Sequence, residues 1–249
     1  MSFFKTENFK TRVATSVVLL TASLIAFLTP DIVAFRALFA AAGIMAIIEL
    51  NVVTRRKMML GSLQNDIAVT MEILAIAIGS LVVAMALSPK EIFMVLVAGI
   101  SSDTFAYIAG SVFNGMVFNK RPFPKTSPKK TWEGIIGGYI GSMIATFAFL
   151  VLYKYYHDGL TNLERMPFQY LEIAFVLFAP LFAIFGDWLE SFAKRCLGLK
   201  DSNEGVRDIK FPLIPLFERL MEGHGGFADR IDSWVLVACF LAWLKIIFT

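Results

Sequence analysis

Between Ser191 and Asp232 the chain reads SFAKRCLGLKDSNEGVRDIKFPLIPLFERLMEGHGGFADRID, gathering Lys194, Arg195, Lys200, Asp201, His224, Asp229, Arg230 and Asp232 between two apolar segments. Asp229 and Asp232 are three apart, so a helix starting there turns both carboxylates toward one point. Adjacent aspartates suit Mg²⁺, a hard cation that takes one or two carboxylates and keeps positions for water and phosphate oxygens. Gly223-His224-Gly225-Gly226, just before them, lets backbone approach a ligand closely. His224 alone, with both cysteines distant, makes no zinc site. On the approach, a helix continuing past Asp187 places Asp187, Glu190 and Lys194 on one face and Ser191 and Arg195 on the next. A ladder of salt bridges accounts for that pattern as well as a binding site does.

Two more polar groups precede this stretch. Asp103 lies in Ser101-Ser102-Asp103-Thr104, inside an apolar run, where a carboxylate is costly without a partner or a wet cavity. It is either functional or a hydrogen-bonded link between helices. The segment from Asn119 to Gly134, NKRPFPKTSPKKTWEG, holds five basic residues with Ser127, Thr131 and Glu133 and leads into an apolar helix. The free N–H groups and positive dipole end of that helix favour phosphate, to which Ser127, Lys129, Lys130 and Thr131 are the nearest donors. Anchoring on an anionic membrane face is the competing explanation for the lysines.

The elements that must position these groups are membrane spans. With 57% hydrophobic residues in 249 and a mean hydropathy of +0.68, the chain lies outside soluble-domain composition. Spacing predicts an all-α, polytopic integral membrane protein of about seven transmembrane helices with a cytosol-facing polar site. The spans run over residues 13–28, 32–53, 67–87, 92–112, 134–152, 170–185 and 234–248, each near the length a bilayer core requires. A retained first helix fits residues 13–28 better than a cleaved signal peptide, because no small-residue cleavage site follows. Ser88-Pro89-Lys90-Glu91 reads as a tight turn between spans, and the glycines of GIIGGYIG read as a helix-packing face.

Placing loops alternately leaves only Arg36, Lys90, Lys154, Arg165 and Lys245 on one side, against eighteen of the 23 Lys and Arg on the other. The basic side is therefore expected in the cytosol, with the N-terminus and the polar stretches inside and the C-terminus outside. One membrane domain covers residues 1–249, with the chemistry between 101 and 233. Cys196 and Cys239 suggest no disulfide framework. No aromatic-interleaved basic patch suggests nucleic acid.

Carboxylates for a metal, basic residues for phosphates and an entrance beside lipid fit phosphoryl or nucleotidyl transfer to a membrane-resident acceptor. An ion or solute transporter with Asp103 and Asp187 along its path is the reading from another class, and it calls for more buried charge at matched depths than these spans carry.

The pattern Ser191-x-x-Lys194-Arg195-x4-Lys200-Asp201-Ser202, followed by Gly223-His224-Gly225-Gly226-x-x-Asp229-Arg230-x-Asp232, resembles the signature of phosphatidate cytidylyltransferases, the CDP-diacylglycerol synthases. SSDTFAYIAG, SPKKTWEGIIGG and FGDWLES resemble upstream segments of that family in the same order. The resemblance implies a nucleotidyltransferase of phospholipid biosynthesis that converts CTP and phosphatidic acid to CDP-diacylglycerol and pyrophosphate with Mg²⁺, a monovalent ion such as K⁺ sharing the site. It implies a metal centre at Asp201 and Asp229 supported by Asp232 and Asp187. Lys194, Arg195, Lys200 and Arg230 then neutralise phosphates, Lys200 and Arg230 at the reacting centre. Ser127, Lys129, Lys130 and Thr131 contact nucleotide or lipid phosphate. His224, Gly225 and Gly226 shape or touch the phosphate site, and Asp103, Glu133, Glu190 and Ser191 carry no assigned role. A homodimer in a bacterial cytoplasmic membrane is the implied setting. A different lipid phosphate, such as an ether lipid, is the alternative acceptor. The chain departs from the family pattern at residues 203–222, where 20 residues separate the two motif halves and Glu222 stands in place of an expected proline.

Overall fold

A computed structural model describes residues 63–158, 169–198 and 228–248, together with scattered helical positions between 33 and 48. Five helices occupy the continuous stretches: α1 (Leu63–Met85), α2 (Pro89–Phe113), α3 (Trp132–Asp158), α4 (Tyr170–Cys196) and α5 (Ala228–Phe248). No strand occurs among the described residues. The helical membrane fold expected from the sequence is borne out, since α2, α3, α4 and residues 231–248 of α5 are each long and apolar enough to cross a bilayer. In α1 the apolar portion is the shorter Val69–Met85. The span expected at 13–28 lies outside the described residues, and the one at 32–53 is helical wherever it is described.

Helices α2 to α5 extend beyond their predicted spans, because polar residues at the ends join the helix without joining the apolar core, while α1 starts four residues early at Leu63 and stops two short at Met85. Ser88-Pro89-Lys90-Glu91 is not a tight turn but the start of α2. Ser88 is its N-cap and Pro89 opens its first turn. The Glu91 side chain accepts the Ser88 N–H at 2.7 Å while the Glu91 N–H reaches the Ser88 hydroxyl at 3.4 Å, a capping box. The helix α4 continues eleven residues past Phe185, which carries Asp187, Glu190 and Lys194 on helical backbone.

By internal contacts the residues form two compact units, Met1–Ala77 with Ala193–Ile231, and Ile78–Phe192 with Asp232–Thr249. Within the second unit, α2 and α3 pack along the glycine face. A Cβ on Gly134 would stand 2.9 Å from the Ala106 carbonyl oxygen, and one on Gly138 2.8 Å from that of Ser102. Gly137 lies against Ala109, and Gly141 against the Phe105 ring. The GIIGGYIG run is thus the packing face its spacing predicts, and dispersion between close backbones is what joins helices in lipid. Ser142, fully buried, adds a 2.8 Å hydrogen bond to the Ala98 carbonyl. On the other side, α4 and α5 interlock through stacked rings, Phe182 on Phe240 at 4.2 Å and Phe175 on Phe240 at 6.4 Å.

Ion pairs fix the direction of the helices. Lys90 at the start of α2 and Lys154 near the end of α3 both reach Glu172 in the first turn of α4, at 2.5 and 2.8 Å. Lys245 in the last turn of α5 reaches Glu91 at 3.0 Å. So α2 and α4 begin at the end of the unit where α3 and α5 finish. The lysines assigned by sequence to the minority side meet here, each joined to a carboxylate.

Candidate functional site

At the opposite end, four elements bring polar side chains together. Asp103, in the second half of α2, accepts a 3.0 Å hydrogen bond from the Ser233 hydroxyl near the start of α5. Lys130, just before α3, pairs with Asp187 of α4 at 2.6 Å. Asp103 stands within electrostatic reach of both Asp187 and Lys130. The backbone of Gly186 lies directly on the Asp232 carbonyl, leaving no room for a Cβ between α4 and α5. Asp232 is buried and its Oδ1 accepts the Ser233 N–H at 2.7 Å. Three carboxylates, one ammonium and one hydroxyl therefore gather where the helix ends meet.

The loop before α3 is held in place from both sides. Asn114 ends α2 in the left-handed conformation and Gly115 follows with φ 84°, a backbone that glycine adopts without strain. Glu133 Oε1 accepts the N–H groups of Val117 and Phe118, each at 3.0 Å. Arg121 donates to the Lys129 carbonyl and to Asn114 Oδ1. Phe123 packs on Trp188 with ring centroids 6.0 Å apart, and Trp188 stacks between Phe185 and Phe192. These contacts deliver Lys130 to Asp187, one residue from Trp188. The buried Thr131 hydroxyl accepts the Gly134 N–H at 3.0 Å and so caps α3.

Glu133→Ala removes the one oxygen that accepts both N–H groups, at a cost of about 0.5–1.5 kcal/mol per hydrogen bond. Limited trypsin digestion is the measurement. Faster cleavage at Lys120, Lys125 or Lys129 is expected, whereas Glu133→Gln, which keeps an acceptor oxygen, should cleave much as the parent does. Equal cleavage of the alanine variant and the parent would refute the pinning role.

Of the residues singled out by sequence, Asp103, Lys130, Asp187 and Asp232 are those brought into this cluster or its wall. Ser127 and Lys129 lie in the pinned loop, Ser127 half-buried and Lys129 exposed. Glu190 is buried and Ser191 half-buried on α4, and Lys194 and Arg195 occupy its last turn. Asp229 and Arg230 fall in the first turn of α5, and their side chains lie outside the described residues, as do Lys200, Asp201, His224, Gly225, Gly226 and the 203–222 insert. Both cysteines are free.

Sequence reasoning missed Ser233, Gly186 and the Phe123–Trp188 contact. Ser233 had a signal in its place beside Asp232, and Gly186 in being a glycine inside an apolar helix. The aromatic contact joins residues 65 positions apart and left no local trace.

Together the bundle and its charged end define a polytopic helical membrane protein with a carboxylate-rich polar site at one end of its helices. The chain belongs to the Cytidylyltransferase family, whose family model matches residues 69–248. It is 36% identical over 140 residues to a phosphatidate cytidylyltransferase of Thermotoga maritima, covering 55% of this chain and 42% of that protein. A Haemophilus influenzae protein of the same name is 37% identical over 136 residues, 54% of this chain and 40% of the relative. Phosphatidate cytidylyltransferase 4, chloroplastic, of Arabidopsis thaliana is 35% identical over 136 residues, 55% and 27%. The chain thus aligns with less than half the length of each of these relatives.

Proposed function

We propose that this protein transfers the cytidylyl group of CTP to phosphatidic acid, releasing pyrophosphate and leaving CDP-diacylglycerol in the membrane. The convergence of Asp103, Lys130 and Asp187 with the start of α5 carries this reading. The names of the relatives supply the reaction. An oxygen of the lipid phosphate forms a bond to the α-phosphorus of CTP as the bond from that phosphorus to the bridging oxygen breaks, and pyrophosphate departs with the electron pair. A phosphate monoester, with a second pKa near 6, is largely ionised at neutral pH, so the attack needs no strong base.

The task of the side chains is positioning and charge neutralisation. Lys130 is held by Asp187 at the mouth of the site and balances phosphate charge there. Lys129, Ser127, Lys194, Arg195, Lys200 and Arg230 are assigned to phosphates of nucleotide or lipid, and His224, Gly225 and Gly226 to the loop around them. Oxygen donors of the kind the cluster offers fit a hard divalent cation. Asp201, Asp229, Asp232 and Asp187 are the residues assigned to hold Mg²⁺, with K⁺ beside it. Mg²⁺, when bound, offsets negative charge that builds on the phosphates. The site faces the cytosol, where the majority of basic residues are expected by the positive-inside rule, and the protein works in the membrane as a homodimer.

The test uses purified protein in detergent, CTP labelled at the α-phosphate, and phosphatidic acid. Label is expected in a chloroform-soluble product only with Mg²⁺ present. Label passing to an ether-linked lipid phosphate but not to phosphatidic acid would reassign the acceptor. Failure to label any lipid phosphate would overturn the reading.

A further inference from the structure

Residues 232–234 fasten the start of α5 to two other helices. On one side the Gly186 backbone of α4 rests on the Asp232 peptide, where an added Cβ would lie 2.3 Å from the Asp232 carbonyl oxygen and 3.3 Å from the Ser233 Cα. On the other side α2 approaches Trp234, and a Cβ on Gly99 would stand 3.1 Å from the Trp234 Cβ. Ser233 lies between these contacts, buried, and makes a polar link of its own in each direction. Its N–H donates to Oδ1 of Asp232 at 2.7 Å, and its hydroxyl donates to Oδ2 of Asp103 at 3.0 Å.

A hydroxyl inside a helix commonly turns back to a carbonyl of its own helix. Ser101, Thr104 and Ser111 of α2 all do so. Ser142 reaches across to another helix, but its acceptor is the backbone of Ala98, so it serves packing alone. The Ser233 hydroxyl reaches across to a carboxylate, and that carboxylate is exposed and stands within electrostatic reach of Asp187. Like charges push apart, so Asp103 without its donor turns toward water. The packing at Gly99 limits how near α2 and α5 come, whereas a hydrogen bond is directional and fixes how they are turned.

We propose that Ser233 is a positioning residue of the cation site, its bond to Asp103 holding the start of α5, which carries Asp229 and Asp232, in register with α2. The inference rests on the assignment of Asp229 and Asp232 to Mg²⁺ above. Ser233 touches neither substrate nor metal in this role. It acts through the two carboxylates it holds, one by its hydroxyl and one by its N–H. Outer hydrogen-bond partners of this kind change metal affinity by about 10–100-fold. Loss of the hydroxyl leaves the N–H bond to Asp232 in place, so the lower end of that range is expected.

Binding of Mn²⁺ alone to the full chain in detergent, read from the electron paramagnetic resonance signal of the unbound ion, tests the proposal without turnover. Ser233→Ala is expected to bind Mn²⁺ about tenfold more weakly than the parent. Ser142→Ala, which also loses one buried hydroxyl bond, is expected to bind it as the parent does. Asp103→Ala breaks the Ser233 bond from its other partner, and the double variant should bind no more weakly than Asp103→Ala, because the hydroxyl then has nothing left to hold. A Ser233→Ala affinity within about twofold of the parent, an equal loss in Ser142→Ala, losses that multiply in the double variant, or a parent that binds no Mn²⁺ would each overturn the role. Transfer of label from CTP by the parent is read separately. A parent that transfers label beside an unchanged Ser233→Ala affinity removes this inference and leaves the reaction standing, whereas the expected affinities without transfer do the reverse.

Discussion

Asp187→Asn is expected to lower cytidylyl transfer by about 10²–10³-fold, the range found when one preorganised electrostatic group is removed from an active site. Asparagine keeps the shape of the side chain and an acceptor oxygen, so the variant loses little beyond the charge. That charge holds Lys130 at 2.6 Å and faces Asp103. The cost to the fold is small by comparison. The side chains of the pair are 23% and 35% accessible although the Lys130 Nζ itself is covered, so the pair contributes about 1 kcal/mol, the upper end for accessible pairs. Lys130 can also extend its ammonium to water once released. The rate of α-labelled CTP incorporation, beside an unchanged elution profile in detergent, is the measurement. Turnover within about threefold of the parent would remove Asp187 from the chemistry and reduce its pair with Lys130 to a loop fastening.

The largest effect on the fold is expected from Gly138→Leu. A Cβ alone at this position would lie 2.8 Å from the Ser102 carbonyl oxygen and 2.9 Å from the Ala106 Cβ. Neither neighbour can rotate away, since one is backbone and the other is a methyl fixed to it. Overpacking of this kind costs about 1–3 kcal/mol when neighbours can shift, and a whole isobutyl group between two backbones exceeds what shifting absorbs. The helices must separate, and α2 would take Asp103 away from Ser233. Stability and transfer should fall together, read as aggregation temperature and CTP incorporation. Ile140→Leu, at an exposed position on the same helix, should change neither. A Gly138→Leu protein that stays monodisperse at the parent's temperature and turns over normally would show that the α2–α3 contact is looser than described.

Much of the architecture was legible because a bilayer imposes a strong one-dimensional code. Apolar runs of about 20 residues announce helices, and the glycine spacing of GIIGGYIG announces close approach. The ends of the helices were less legible. Trp132, Glu133 and residues 186–196 are polar or mixed, so hydropathy stops short of them although the backbone continues as helix. Ser88-Pro89-Lys90-Glu91 shows the same blind spot, since its cap chemistry was present in the sequence but hydropathy alone reads it as a break.

The sequence by itself determined that this is a helical membrane protein and which family its motifs place it in, because each is written in local composition or in contiguous residue patterns. Only the tertiary structure decided the partners. Asp103 was recognisable as a carboxylate needing company, but its donor, Ser233, lies 130 residues away. Lys130 read as one of several phosphate-seeking lysines, and the docking of Phe123 on Trp188 selects it for Asp187. Glu172 attracted no attention in sequence, yet it joins two lysines from two other helices at the far end of the bundle. Pairings of this kind depend on which helix faces meet and at what height, and that is set by backbone packing at Gly134, Gly138 and Gly186, where the absence of a side chain lets one helix rest on the next.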